Sequence, residues 1–258
     1  MKITFSKYQG TGNDFILIDN RQQNIRLRTE QIKSLCERRF GIGADGLMLL
    51  ETEEGADFKM IYFNADGNES TMCGNGGRCI TAFARKLGII HDRAFFTAID
   101  GRHEALLEEA DFVRLQMTDV TDIENRNDHS LLNTGSPHYV LWVDDVTKTD
   151  VYAEGRTIRN RQDFQPKGIN VNFAQREEDR ILVRTYERGV EEETLSCGTG
   201  VTAVAIASVK NKTGDFSINI ETPGGLLNVS FHKAQAKSAE RIWLSGAAMF
   251  VFEGRIAL

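Results

Sequence analysis

Two short segments of the sequence place a cysteine directly before a glycine-rich run of small residues. Cys73 precedes Gly74-Asn75-Gly76, and Cys197 precedes Gly198-Thr199-Gly200. An unperturbed thiol has a pKa of about 8.5, so it needs little adjustment to accept or donate a proton near neutral pH. If each run begins a helix, unpaired backbone N–H groups and the helix dipole favour a thiolate at the cysteine and an anion beside it. Each segment can therefore supply an acid–base thiol next to a carboxylate site.

Two such segments indicate narrower chemistry than one. If they face each other across a cleft, a substrate carboxylate bound to both helix ends would place its α-carbon between the two sulfur atoms. One thiolate would remove the α-proton from one face, and the other thiol would return a proton to the opposite face, which inverts the carbon. The helix ends would also stabilise the negative charge that builds on the carboxylate. The sequence therefore predicts an epimerase or racemase with Cys73 and Cys197 as its two bases.

The cysteine segments belong to a longer internal repeat. They lie 124 positions apart, and three other pairs of segments match in the same order at offsets of 122 to 124. The pairs are Thr11-Gly12-Asn13 with Thr134-Gly135-Ser136, Phe40 with Phe164, and the strand before Asp66-Gly67 with the strand before Arg188-Gly189. This regularity predicts two homologous halves joined near residues 118–122, each rich in strands and holding one or two helices.

Three helices can be placed from capping residues and apolar patterns. The sequence predicts one from Thr29 through Arg39, one from Gly74 or Asn75 to Leu87, and one from about Thr199 to Lys210. The helix after Cys73 is small and apolar on two faces, so we expect the strands to bury it. Cys36 and Cys79 fall inside predicted helices and are interpreted as core residues.

Composition narrows the class of protein. The 258 residues suffice for two domains of ordinary size, and the formal net charge of −6 without a basic stripe disfavours nucleic acid and anionic membranes as partners. The longest apolar stretches are far shorter than a membrane span, and the N-terminal residues show no export signal. Four scattered cysteines match neither a disulfide scaffold nor the usual zinc spacing. We therefore expect a cytoplasmic protein with reduced thiols.

Taken together, these segments resemble the diaminopimelate epimerases over nearly the whole chain. The motifs that carry the resemblance are Asn64-Ala65-Asp66-Gly67 leading to Met72–Cys79, Glu187-Arg188-Gly189 leading to Ser196–Gly200, Thr11–Phe15, and Gly135-Ser136-Pro137-His138. The resemblance implies an α+β fold of two pseudosymmetric domains, each a curved, mostly antiparallel sheet wrapped around a central helix. The first domain would span residues 1–119, completed by about 248–258, and the second residues 120–247, with the active site between them.

The resemblance also implies an activity. Enzymes of this family interconvert L,L- and meso-2,6-diaminopimelate, which feeds lysine and cell-wall synthesis. They use neither pyridoxal phosphate nor a metal, and they commonly form homodimers. We therefore expect a small-molecule substrate, no cofactor, and a second copy of the chain as partner.

Roles for individual residues follow from the same resemblance. Cys73 and Cys197 would be the bases, and His138 and Glu187 would tune the pKa values of the two thiols. Without the resemblance, the asparagines would pass as turn residues and His138 as a structural histidine. Arg188 suits the distal carboxylate because its planar fork can bind two oxygens. The substrate-binding residues implied by the resemblance are Asn13, Asn64, Gly74, Asn75, Asn170, Glu187, Arg188, Gly198 and Thr199.

Three departures from the family pattern concern substrate recognition. Ser136 stands where many members have asparagine, and Gly46 stands where many have glutamine. The stretch Val190-Glu191-Glu192-Glu193 is one residue longer than the usual loop. We expect these differences to alter contacts with the substrate and to leave both bases in place.

Several other functions remain open at this point. Proline and hydroxyproline racemases share the scaffold but typically carry histidine after the first Cys-Gly, where this chain has Asn75, and an Asp-rich approach to the second cysteine, where it has Leu195-Ser196. An isomerase branch of the same scaffold lacks both cysteines. A non-catalytic amino-acid-binding protein would show no hydrogen exchange at the α-carbon. A redox or metal protein would bind zinc tightly or need a disulfide.

Overall fold

A computed structural model of the chain describes residues 2–70, 72–108 and 111–257. Over these residues the protein has seventeen strands and four α-helices, which confirms the predicted α+β class. The chain divides into two compact units. The first contains the residues up to Leu115 together with those from Gly246 onward, and the second runs from Gln116 to Ser245.

The elements follow one another in this order. The chain begins with β1 (Lys2–Gly10), β2 (Asn13–Asp19), α1 (Thr29–Cys36), β3 (Gly46–Glu51), β4 (Phe58–Asn64), α2 (Gly74–Lys86), β5 (Arg93–Ala98), β6 (Gly101–Leu107) and β7 (Phe112–Gln116). It continues with β8 (Ile123–Asn125), β9 (His129–Asn133), β10 (Pro137–Trp142), α3 (Val151–Arg159), β11 (Asn170–Arg176), β12 (Ile181–Glu187) and β13 (Glu192–Thr194). It ends with α4 (Gly198–Ser208), β14 (Gly214–Thr222), β15 (Gly225–Lys233), β16 (Glu240–Ala247) and β17 (Met249–Ala257).

The sheet of the first unit is mostly antiparallel. Strand β1 pairs antiparallel with β2 on one side and with β17 on the other, so the last strand of the chain completes this unit. Strands β2 and β3 are parallel, with Phe15 opposite Gly46, and β3 pairs antiparallel with β4. Strands β5, β6 and β7 continue as antiparallel neighbours after a short parallel pairing of β4 with β5.

Helix α2 is buried, and the glycines of its first turn let its backbone approach the neighbouring side chains closely. Every residue from Gly74 to Ala84 is buried. A Cβ added at Gly76 would lie 2.4 Å from Met48 Cε, and one added at Gly77 would lie 2.9 Å from Leu115 Cδ2. The helix ends at Lys86, one residue before the predicted Leu87. The prediction of a buried helix after Cys73 is therefore confirmed.

The second unit repeats this arrangement. Strands β8, β9 and β10 are antiparallel neighbours, β10 runs parallel to β11 with His138 opposite Asn170, and β11 pairs antiparallel with β12. Strand β12 pairs antiparallel with β13 and parallel with β14, which forms a hairpin with β15. Helix α4 is buried from Gly200 to Ala207 and ends two residues before the predicted Lys210.

Two helices differ from the sequence-based expectation. Helix α1 ends at Cys36 rather than Arg39, because Glu37 leaves the helical conformation with ψ 128°. Helix α3 was not predicted, because its turns contain few apolar residues and an internal Gly155. Its N-cap is Asp150, whose side chain accepts a hydrogen bond from the Ala153 N–H at 3.0 Å.

Gly155 lets α3 pack closely on β12, and this contact gives a stability prediction. In an exposed helix a Gly→Ala change stabilises, but a Cβ at Gly155 would lie 2.4 Å from the Cβ of the buried Tyr186. We expect Gly155→Ala to lower the free energy of unfolding by about 1–3 kcal/mol, measured by urea denaturation. The control Thr157→Ala, on the exposed face of the same helix, should change it by less than about 0.5 kcal/mol. Equal stability of Gly155→Ala and wild type would contradict this packing.

Candidate active site

Cys73 occupies the N-cap position of α2. Its backbone is extended, with φ −91° and ψ 131°, and its carbonyl accepts a hydrogen bond from the Gly77 N–H at 2.7 Å. The half-buried thiol therefore lies at the N-terminal edge of a buried helix, where the first-turn N–H groups and the helix dipole favour negative charge. This is the position that the sequence analysis predicted for it.

Asn13 contacts the thiol of Cys73 through its amide oxygen. Cys73 Sγ donates to Asn13 Oδ1 at 3.6 Å. The amide cannot easily reverse, because its Nδ2 donates to Asp45 Oδ2 at 2.6 Å. Asp45 is held in turn by Arg38 at 2.7 Å. Asp45 was not predicted as a site residue, and its place directly before the buried strand β3 is the only hint that the sequence gives.

A charged network supports the strand that carries Asn13. Asp14 accepts two hydrogen bonds from Arg38, at 2.8 and 3.0 Å, and forms an ion pair with the buried Lys7 at 2.9 Å. Burial opposes ionisation of Asp14, but the hydrogen bonds and charges of Arg38 and Lys7 lower its pKa to about 2. The carboxylate therefore stays charged near neutral pH and holds the start of β2 in place.

The first two turns of α2 are hydrogen-bonded to Thr11, the residue directly after β1. Thr11 Oγ1 donates to Asn75 Oδ1 at 3.4 Å and accepts a hydrogen bond from Arg78 Nη2 at 3.1 Å. Arg78 is fully buried, and this burial lowers the pKa of its guanidinium. Its positive charge lies in the first turns of the helix, where it adds to the positive potential of the helix end. Arg78 is the one charged residue between Gly74 and Ala84, and this was the sequence signal that could have drawn attention to it.

Asn64 and Gly46 are the other two positions of the first unit that the sequence analysis singled out. Asn64 lies at the exposed end of β4, and its backbone N–H donates to Asn68 O at 3.0 Å. A Cβ added at Gly46 would lie 2.5 Å from Tyr62 Cε2 and 2.7 Å from Phe63 O. The glutamine that many family members carry at this position could therefore not be introduced here without a shift of β4.

Cys197 stands at the N-cap of α4, as Cys73 does for α2. Its backbone is extended, with φ −114° and ψ 110°, and its carbonyl accepts a hydrogen bond from the Val201 N–H at 2.9 Å. Its thiol is buried, and Sγ lies 3.5 Å from Thr199 Oγ1. The backbone of this turn is tied to the sheet, because Thr134 Oγ1 donates to Thr199 O at 2.8 Å.

His138 contacts the same threonine from the sheet side. His138 Nε2 lies 2.9 Å from Thr199 Oγ1, and the ring is fully buried on β10. Burial, assisted by the charge of Arg188, lowers the pKa of His138 to about 3. The imidazole is therefore neutral near neutral pH. It can orient Thr199 and, through it, Cys197, which is compatible with the tuning role that the family resemblance implies.

Asn170, Arg188 and Ser136 form one polar cluster. Asn170 Nδ2 donates to Ser136 Oγ at 2.8 Å, and Asn170 Oδ1 accepts a hydrogen bond from the Arg188 N–H at 2.9 Å. Arg188 Nη2 donates to Ser136 Oγ at 3.2 Å, and its Nη1 donates to Lys167 O at 3.3 Å. Ser136, the departure noted in the sequence, thus orients the arginine that the prediction assigns to a distal carboxylate.

The acidic residues before Cys197 have different surroundings. Glu187 Oε2 accepts a hydrogen bond from Thr194 Oγ1 at 2.9 Å. Glu193 forms a two-point ion pair with Arg184, with both N–O distances 2.7 Å. The stretch after Arg188 turns through Gly189 and Glu191, both with positive φ, before β13 begins.

The two cysteines that were predicted to be structural lie in the cores of their helices. Cys36 closes α1 and Cys79 lies within α2, and both are buried. Burial raises the pKa of each thiol to about 12. Neither thiol is therefore suited to proton transfer near neutral pH, and the prediction is confirmed.

Comparison with known proteins identifies the family of the chain. The protein-family model described as diaminopimelate epimerase matches residues 5–121 and 130–251. The chain belongs to the diaminopimelate epimerase family. A relative of that name from Flavobacterium psychrophilum is 52% identical over 253 residues, which cover 97% of this chain and 98% of the relative. Another from Chlorobaculum tepidum is 43% identical over 262 residues, which cover 96% and 99%.

Solved structures share the fold at much lower identity. A Bacillus anthracis phenazine biosynthesis protein of the PhzF family superposes with a TM-score of 0.78 at 16% identity, covering 100% of both chains. A hydroxyproline epimerase from Agrobacterium vitis superposes with a TM-score of 0.70 at 16% identity, covering 100% of this chain and 93% of that one. These likenesses show the fold alone, and family membership rests on the closer relatives.

Over residues 2–70, 72–108 and 111–257, no helix is long and apolar enough to cross a membrane. In that same part of the chain, no group of three or more His, Cys, Asp or Glu side chains is arranged to hold a metal ion.

The lowered pKa of His138 gives a prediction for the pH dependence of stability. An unfolded histidine has a pKa of about 6.5, whereas the native ring resists protonation down to about pH 3. Between these values the unfolded chain binds more protons, so His138 contributes stability that is lost as the pH falls. We expect the unfolding free energy of wild type to drop more steeply between about pH 6.5 and about pH 4 than that of His138→Gln, measured by urea denaturation. His91→Gln is the control, because it makes the same His-to-Gln substitution at an exposed position. Equal slopes for wild type and His138→Gln would refute a buried neutral imidazole.

Proposed function

We propose that the protein interconverts L,L- and meso-2,6-diaminopimelate by a two-base reaction in which Cys73 and Cys197 exchange one proton each with the substrate. The observation that carries the proposal is the identical placement of the two cysteines, each at the N-cap of a buried helix in one copy of a duplicated unit. Whole-chain membership in the diaminopimelate epimerase family supports the substrate. The product serves lysine and cell-wall precursor synthesis.

The proton transfers balance without a redox partner. One thiolate forms an S–H bond with the α-proton, and the electrons of the broken C–H bond move into the α-carboxylate, which becomes enolate-like. The opposite thiol then gives its proton to the other face of the α-carbon and is left as a thiolate. The two sulfur atoms thereby exchange protonation states, and the same groups catalyse the return reaction.

The helix ends supply the electrostatic part of this reaction. The backbone N–H groups of Gly74 and Asn75, and those of Gly198 and Thr199, belong to the first turns of α2 and α4. Such groups have no carbonyl partner inside their helix, so they can donate to the carboxylate. Their donation strengthens as negative charge builds on it, which is the condition for lowering the barrier.

The remaining contacts would recognise the distal end of the substrate. Arg188 presents a guanidinium that Ser136 and Lys167 O orient, and we assign it to the distal carboxylate. Glu187 has a carboxylate suited to an ammonium group. Asn13, Asn64 and Asn170 would complete the binding of polar groups.

The rival functions fit less well. The proline and hydroxyproline racemase reading rests on the shared fold alone, because the solved structures of those proteins are 16% identical to this chain. A non-catalytic binding protein would not need two cysteines with the same helix-end placement. We also propose that the protein has no nucleic-acid partner, because its net charge is −6 and it lacks a basic stripe. The four free, scattered cysteines support a cytoplasmic location.

The cysteine assignment predicts the outcome of two single substitutions. We expect Cys73→Ala and Cys197→Ala each to reduce epimerisation of L,L-diaminopimelate at least about 100-fold, because each removes one of two required proton carriers. Chiral separation of the products and deuterium uptake at the α-carbon in heavy water measure the reaction. Cys36→Ala, which changes a buried structural cysteine, is the control and should retain turnover. Full turnover in Cys197→Ala would refute the two-base assignment, and the absence of exchange in wild type would favour a binding protein.

We further propose that the protein is a homodimer that associates through β17. Four successive residues of this strand, Met249, Phe250, Val251 and Phe252, are 40–51% exposed. Phe250 and Phe252 are held in place by edge-on contacts with Tyr8 and Phe5, at centroid distances of 5.5 and 5.9 Å. A contiguous exposed apolar strand of this kind is unusual on a monomer, and a two-fold axis lets one patch bind its own copy.

Light scattering coupled to size-exclusion chromatography tests the dimer. We expect wild type to elute as a dimer and Val251→Glu to elute as a monomer, because burying a charge at an interface is costly. Ile99→Glu is the control, since Ile99 is 61% exposed in the turn between β5 and β6. A monomeric wild type, or a Val251→Glu protein that stays dimeric, would contradict this assignment.

A further inference from the structure

A fully buried asparagine lies behind the His138 contact in β11. Asn172 stands between Val171 and Phe173, both fully buried, and no solvent reaches its side chain. A buried amide without hydrogen bonds costs several kcal/mol, so its partners show why it is tolerated. Asn172 has three partners: Tyr139 O, Thr185 Oγ1 and His138 Nδ1.

The partners fix which way the amide faces. Asn172 Nδ2 lies 3.0 Å from Tyr139 O, and a carbonyl oxygen only accepts, so this atom must be the nitrogen. Thr185 Oγ1 then donates to Asn172 Oδ1 at 3.0 Å. The second proton of Nδ2 points to His138 Nδ1, at 3.1 Å. His138 Nδ1 must therefore accept a hydrogen bond and carries no proton.

The proton of the neutral ring is consequently on Nε2. Because burial keeps the imidazole neutral, it has one N–H group, and Nε2 donates it to Thr199 Oγ1 at 2.9 Å. The Thr199 hydroxyl accepts there, so its own proton is available to another acceptor. Cys197 Sγ lies 3.5 Å from that hydroxyl.

The equivalent positions of the first unit show that the fold does not require this polar pair. By the repeat offsets of 123 and 124, His138 and Asn172 correspond to Phe15 and Met48, which are both buried and apolar. The strand pairs also correspond, since β2–β3 and β10–β11 are both parallel with matching register. The polar pair is therefore a property of the unit that holds Cys197.

We propose that Asn172 is a positioning residue that holds His138 in its Nε2–H tautomer and thereby directs the Thr199 hydroxyl proton toward Cys197 Sγ. A hydroxyl that donates to sulfur stabilises the thiolate, the form that removes the substrate proton. In the opposite tautomer Thr199 would donate to Nε2 and turn its lone pairs toward the sulfur, which disfavours the thiolate. The inference rests on the proposed function only in giving Cys197 its catalytic role.

Nitrogen NMR of wild type with ¹⁵N-labelled histidine reads the tautomer directly. We expect the His138 Nδ1 signal in the range of an unprotonated imidazole nitrogen and the Nε2 signal in the range of an N–H nitrogen. His138→Gln assigns the two signals by their loss. The reverse pattern, or equal populations of the two tautomers, overturns the proposal without any variant of Asn172.

Substitutions then test the effect on the sulfur. In a Cys73→Ser background, the ultraviolet thiolate absorbance of Cys197 should rise at a pH about one unit higher in Asn172→Ala, as expected for the loss of one hydrogen bond to a charged group. Thr199→Val should show the same shift, and Thr199→Ser should restore the wild-type midpoint. Arg188 and Glu187, the charged groups at the end of neighbouring β12, are unchanged in all of these proteins.

Thr185→Val is the matched control. It removes the hydrogen bond to Asn172 Oδ1 but leaves both contacts of Nδ2, so the tautomer and the Cys197 midpoint should stay as in wild type. In the full enzyme, Asn172→Ala should lower kcat about tenfold with little change in KM, because the substrate contacts are intact. An unshifted midpoint in Asn172→Ala and Thr199→Val, or an equal shift in Thr185→Val, would overturn the proposal. If Asn172→Ala does not fold, the ¹⁵N spectrum of wild type and the thiolate midpoints of Thr199→Val and Thr199→Ser still test the proposal.

These outcomes are separable from the proposed function. The tautomer and the thiolate midpoint are measured without substrate, so they stand even if diaminopimelate is not turned over. Conversely, an active epimerase with the opposite His138 tautomer would remove this inference and leave the two-base reaction in place.

Discussion

Each unit depends on one physical constraint: the N-terminus of its central helix must be buried and must still leave its first-turn N–H groups beside a cysteine. Each cysteine lies beside the first-turn N–H groups of a helix that is packed against the sheet, and this close packing needs glycine at the points where the helix backbone meets the strands. At Gly76 a Cβ would collide with Met48, and at Gly200 it would lie 2.4 Å from Asn172 Oδ1. The glycines after each cysteine therefore serve two purposes at once: they allow the helix to be buried, and they leave its backbone open to an anion.

The polar residues around each helix end follow from the same constraint. Burying a helix start removes water from groups that need hydrogen bonds, so neighbouring segments must supply them. Thr11 and Thr134, which correspond in the repeat, both reach the second residue of the helix, Asn75 and Thr199. The two units thus share a threonine contact at the helix start, but Arg78, which also binds Thr11 in the first unit, is replaced by Thr202 in the second.

The features that could be predicted from the sequence are those marked by the internal repeat or by the two cysteine motifs. The buried helices α2 and α4 were predicted within two residues at their ends, because a run of mostly small residues follows each Cys-Gly pair. Helix α3 could not be found this way, since a glycine interrupts its short buried stripe of Val151, Gly155 and Ile158. Asp45 and Asn172 were missed for a different reason: their importance lies in which atom of a neighbouring side chain they orient, and sequence spacing carries no such information.

The difference between the two sulfur environments bears directly on how an epimerase works. A two-base reaction needs one sulfur that accepts a proton and one that gives a proton, so two identical surroundings would favour neither assignment. Here Cys73 meets the amide oxygen of Asn13, which only accepts, whereas Cys197 meets the hydroxyl of Thr199, which can donate. Asp45 and Asn172 stand behind these two groups and hold their orientation. Both units therefore have the same helix end, while an amide oxygen contacts one thiol and a hydroxyl contacts the other.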